Sequence, residues 1–143
     1  MKPRWAPLLL LLLAACRQAV PVDTSGSRFI PRDLAVEELK RLLAKADYVA
    51  CVEPRVTMTW REIREWAVDG DRLEARADGK APVQVVFKDV TSARLDKYGV
   101  LYQVRLFTTA HPGPRSDYAR IHWPTAEPAR RAVELLDALR QKS

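Results

Sequence analysis

The sequence predicts an α+β domain: a helix, about seven short and mainly antiparallel strands, and a second helix. Three observations predict it. Apolar residues recur at helical spacing from Ala35 to Ala46 and again from Ala129 to Leu139. Between these segments the period falls to two, in runs rich in Val, Trp, Tyr and Thr. Asp69-Gly70, Asp78-Gly79 and Tyr98-Gly99 punctuate those runs as turn signals.

The chain opens on a different kind of segment. Lys2 and Arg4 precede six leucines (Leu8–Leu13) and then Ala14, Ala15 and Cys16. The uncharged run Trp5–Ala15 would rise about 16 Å as a helix, against a hydrocarbon core of about 30 Å. It is too short to span, and it is apolar all round, unlike an amphipathic surface helix. A basic start, a greasy middle and small residues make the three parts of a secretory signal peptide. The last four residues, Leu13-Ala14-Ala15-Cys16, resemble the lipobox of bacterial lipoproteins. That resemblance implies a diacylglyceryl thioether on Cys16, cleavage before it, and acylation of the new amino terminus. Two or more acyl chains, at about 0.8 kcal/mol per buried CH₂, anchor stably where one does not. Arg17 stands where many Gram-negative lipoproteins retained in the inner membrane carry Asp, so the resemblance favours the periplasmic face of the outer membrane.

Cleavage before Cys16 removes 15 residues from 143 and leaves 128, enough for one domain. Of 24 basic residues it removes Lys2 and Arg4, leaving 22 against 18 acidic ones. The remaining excess is mild and dispersed. No block of five like charges exists, so neither a nucleic-acid arm nor a polybasic membrane patch is indicated. With Cys16 acylated, Cys51 has no cysteine left to pair with, and stability must come from the core. Cys51 lies in an apolar β-rich run, where a free thiol behaves as a small hydrophobe.

Residues 17–31, RQAVPVDTSGSRFIP, show no periodicity and carry two prolines and a glycine. They read as a flexible tether from the anchor at 16 to the domain at 32–143, with a root-mean-square reach of about 20 Å. The first helix follows, with Asp33 as its N-cap and Ala35, Val36, Leu39, Leu42, Leu43 and Ala46 as its apolar stripe. Strands are expected over Tyr48–Glu53, Val56–Val68, Arg72–Arg76, Val83–Phe87, Thr91–Lys97, Leu101–Thr109 and Ala119–Trp123. Within Val56–Val68 the apolar phase switches, which a bulge or bend near 62–64 would explain. The last helix has Thr125 as its cap, Pro128 in its first turn, and a stripe at Ala129, Ala132, Val133, Leu136 and Leu139.

Seven antiparallel strands ending in ARIHWPTAEPARRAVELLDALR, a last strand running into an amphipathic helix, resemble the pleckstrin-homology-like superfold. The resemblance covers residues 48–143 and implies a bent β-sandwich capped by that helix. It does not carry over lipid-headgroup binding, because the first hairpin loop here is Glu53-Pro54-Arg55 and lacks the basic pattern.

The chemistry-bearing motifs are absent from the sequence. Five glycines include no phosphate-cradling spacing, and there is no G-x-S-x-G elbow. His111, Asp117 and His122 bracket a proline-rich loop at no familiar metal-ligand spacing. His122 alternates with Ile121 and Trp123, so it is expected on the opposite face, in solvent or hydrogen-bonded. Trp60 and Trp66 share the apolar phase and read as core. The run Arg61, Glu62, Ile63, Arg64, Glu65 reads as an edge portion of a long strand, and Arg61, Glu62, Arg64 and Glu65 are the candidate partner-docking residues. No catalytic residue, metal or cofactor is expected. The function the sequence supports is a membrane-anchored, non-enzymatic docking module for an envelope protein or peptide. A small-ligand or glycan binder is the alternative.

Overall fold

The computed structural model describes residues 17–51, 57–59, 63–109 and 118–143. The signal segment and lipobox, Arg61, Glu62, His111 and Asp117 lie outside the described residues. Among the described residues the fold is α+β, with antiparallel strands in two sheets and two α-helices. In chain order the elements are β1 (Arg17–Val20), α1 (Arg32–Leu43), β2 (Tyr48–Cys51), β3 (Thr57–Thr59), β4 (Ile63–Val68), β5 (Arg72–Ala77) and β6 (Val83–Val86). Then come β7 (Val90–Tyr98), β8 (Leu101–Thr108), β9 (Ala119–Trp123) and α2 (Ala126–Gln141). The large sheet has the order β1-β7-β8-β9-β2-β3, and the small one β4-β5-β6.

Period-two alternation decides what each strand buries. Val20, Leu95, Val104, Ile121 and Val49 stand side by side across the large sheet. All but Val20 are buried, and Val20 packs against the same core. On this face lies α2, in contact with β7, β8 and β9, while α1 packs on α2 and β4. Leu73, Ala75, Val83 and Val85 of the small sheet join the same apolar cluster. The predicted stripe of α2 is buried throughout, and Leu135 and Ala138 are buried with it. Trp123 is fully buried, and its indole N–H donates to the Leu42 carbonyl at 2.8 Å. Arg131 of α2 forks onto Glu38 of α1 at 2.7 and 3.0 Å and also reaches Glu134 at 2.6 Å.

Three sequence expectations are corrected here. The segment read as a tether is part of the packed body. β1 pairs with β7 in register Arg17↔Tyr98 to Val20↔Leu95, covering an otherwise open sheet edge. Ser27 is buried and its hydroxyl donates to Asp137, which also accepts from Arg140 and Gln141, both at 2.6 Å. A buried carboxylate needs such partners, and the 17–31 segment supplies one. Second, nine strands are present among the described residues, because β1 is added and the expected strand 56–68 divides into β3 and β4 in different sheets. The register shift between Ile63 and Glu65 lies where the apolar phase switches. Third, α1 begins at Arg32 with Pro31 in the capping position, and Asp33 falls inside the first turn. There its charge favours the positive end of the helix dipole.

Candidate functional site

The face of the large sheet turned away from the helices is polar, and the same alternation builds it. Asp96, Gln103, His122 and Tyr48 form one row across β7, β8, β9 and β2. Arg94, Arg105, Arg120 and Ala50 form the next. Asp96, Gln103 and His122 are buried in spite of their polarity. Asp96 is compensated by Arg105 at 3.4 Å and Arg17 at 3.8 Å. Phe107 lies beneath the guanidinium groups of Arg94 and Arg105, 4.8 and 5.0 Å from its ring centre.

His122 and Gln103 are less well served. The His122 ring stacks on Tyr48 with centroids 3.9 Å apart and planes inclined by 19°. Its Nδ1 has no hydrogen-bond partner, and neither has Nε2 of the neighbouring Gln103. Burial, followed by the positive charges of Arg120 and Arg17, pushes the imidazole pKa down to about 4. Burial next to Asp47 raises that of the Tyr48 phenol. His122 was expected in solvent or satisfied; its opposite facing is as read, but it is neither. Tyr48 and the cross-strand neighbours close over it.

Above this pair opens a cleft of about 300 Å³ lined by Arg17, Tyr48, Ala50, Tyr98, Gln103, Arg120 and His122. Larger clefts exist. One of about 480 Å³ runs between the 19–24 segment, β7 and α2, and one of about 640 Å³ lies between the end of α1 and the start of α2. In those, Asp137 and Arg131 are engaged by the partners named above. Of these three clefts among the described residues, the smallest alone combines aromatic walls with buried polar atoms lacking partners, and it is the candidate site. Its residues suit recognition. A histidine ionising near 4 is a poor proton acceptor at neutral pH, and among the described residues no Ser or Cys lines the cleft. Among the described residues no group of three His, Cys, Asp or Glu side chains could hold a metal.

Of the expected docking run, Arg61 and Glu62 lie outside the described residues, and positions 64 and 65 belong to β4. β4 is an edge strand of the small sheet, as its charge pattern suggests. Its Glu65 is exposed but faces Arg76 on β5, with an ion pair at 3.6 Å. The Arg64 backbone belongs to β4. Trp66 packs against the core as read, partly buried. The opposite phase of YVAC, YQVRLF and ARIHW carries Tyr48, Gln103 and His122 onto one face, a signal that emerges only once the three strands are aligned.

No protein-family model matches the chain, and a comparison with curated proteins returns no match. Among the described residues no helix is long and apolar enough to cross a membrane.

Proposed function

We propose that the chain is a lipoprotein of a bacterial envelope, anchored through acylated Cys16 and facing the periplasm, that binds a protein segment or peptide without catalysing a reaction. The outer membrane is favoured by Arg17. The observation that carries the binding reading is the cleft over His122 and Gln103, with Tyr48 and Tyr98 as walls and Arg17 and Arg120 at its rim. Tyrosines supply rigid contact area with a polar tip, and arginines supply forked donors for carbonyl or carboxylate groups. A peptide offers both apolar and acceptor surfaces.

The test is a photo-crosslinking amino acid at Ala50, a half-buried lining position, in the full chain in its native envelope. A discrete adduct that is lost when Tyr48→Ala is added supports a docked polypeptide. The absence of any adduct counts against it. A glycan binder is the second reading, favoured by the two tyrosines as stacking platforms. Oligosaccharide titration that shifts the His122 and Gln103 resonances, without a protein adduct, would install it instead. For the anchor, labelled palmitate should tag the chain, and Cys16→Ser should abolish tagging and release it from membranes.

At the level of fold we read the domain as pleckstrin-homology-like. The meander β7-β8-β9 returns to β2 and continues directly into α2, which supports the reading. An experimental structure in which residues 60–62 carry one bent strand from β3 into β4 would strengthen it. Two unconnected layers would count against it.

A further inference from the structure

We infer that the β7–β8 turn is a second membrane contact, which seats the domain on the bilayer surface in one orientation. This rests on the proposed Cys16 anchor. A tether would let the body float; instead Arg17, the residue joined to Cys16, is already in the sheet. One peptide unit separates their Cα atoms, about 3.8 Å. Arg17 pairs with Tyr98, and paired Cα atoms lie about 5 Å apart. The chain therefore enters the sheet beside the turn Tyr98-Gly99-Val100-Leu101, which Gly99 closes with φ of +61°.

That turn carries the side chains a bilayer surface selects. Val100 is 84% exposed and Tyr98 45% exposed, two of the four large exposed hydrophobics among the described residues. The others, Phe29 and Leu34, are not on a strand paired with β1. Tyrosine favours the headgroup level, with its ring toward the chains and its hydroxyl toward water. Lys97 is exposed on the same hairpin, and Arg17 is exposed on the neighbouring strand, so cations flank the apolar tip and meet anionic headgroups. The occupant is a phospholipid surface, because the acyl chains outside the described residues enter it beside this tip. Seated so, the cleft lined by Arg17 and Tyr98 opens close to the membrane.

The test uses the full acylated chain in vesicles of phosphatidylethanolamine and phosphatidylglycerol. An environment-sensitive fluorophore is placed at Val100→Cys, or at Asp78→Cys in the β5–β6 turn, in a Cys51→Ala background. The Val100 label should emit at shorter wavelength and lose most of its intensity to headgroup-proximal spin-labelled lipid, while the Asp78 label stays water-exposed. Amide exchange of the chain without the fluorophore gives a second readout. Protection at residues 97–101 should be higher on vesicles than in the soluble Cys16→Ser chain. If the chain is acylated yet the Val100 label remains in water and exchange is unchanged, the inference is overturned and the anchor stands. If no acyl chain is found on Cys16, anchor and inference fall together.

Discussion

His122 should make the protein acid-sensitive in a way that one substitution removes. Its ordinary pKa of 6.5 drops to about 4 in the fold because the ring is buried beside Arg120 and Arg17. The unfolded chain therefore binds a proton as pH falls through 6.5, whereas the folded chain refuses it until about 4. Stability from this residue is complete above 6.5 and is lost progressively as pH falls from there to about 4. The gap corresponds to about 3 kcal/mol at about 1.4 kcal/mol per pH unit, and to about 2 kcal/mol once solvent screening is allowed for. Carboxylates also titrate in this range, so the informative quantity is a difference. His122→Phe keeps a flat ring against Tyr48 and cannot ionise. Urea denaturation of both proteins at pH 7 and pH 4 should show the parent losing about 2 kcal/mol more than the variant. Parallel losses, or an imidazole titrating near 6.5 by NMR in the folded protein, would refute the reasoning.

Three further outcomes follow from the packing. Leu136→Ala empties a fully buried site on α2 and should cost about 2–5 kcal/mol in chemical denaturation. Arg131→Ala releases the fork that ties α1 to α2. Because the pair is partly exposed, the loss should be about 1 kcal/mol, largely abolished in high salt. Ser27→Ala removes the hydroxyl that donates to buried Asp137; a hydrogen bond to a charged group is worth about 1.5–3 kcal/mol. Limited proteolysis should then cut residues 21–31 before the rest of the domain, whereas the parent should resist there.

The elements with strong periodicity were legible. Ala119–Trp123 is β9 as read, and the α2 stripe at Ala129, Ala132, Val133, Leu136 and Leu139 is buried as its spacing demands. The switch of phase near 62–64 was visible because a register shift inverts which side chains face inward. β1 was not legible, since its four residues RQAV, between the apolar leader and a polar stretch, show no clear alternation and are held by pairing with a strand almost eighty positions away. Asp137 gave no hint either, because its partner Ser27 is more distant still, 110 positions away. The candidate cleft was half legible. Alternation told that His122 opposes Trp123, but which polar atoms go unpaired depends on how four strands align, and no local pattern encodes that. The acidic and basic run at 61–65 had the look of a docking edge, yet Glu65 is already answered by Arg76 across the strand pair.

Intact mass spectrometry of the native chain extracted from membranes tests the central claim most directly. The account predicts a polypeptide beginning at Cys16 that carries a diacylglyceryl group on sulfur and an acyl chain on its amino group. A chain that retains residues 1–15, or begins at Cys16 without lipid, would contradict it.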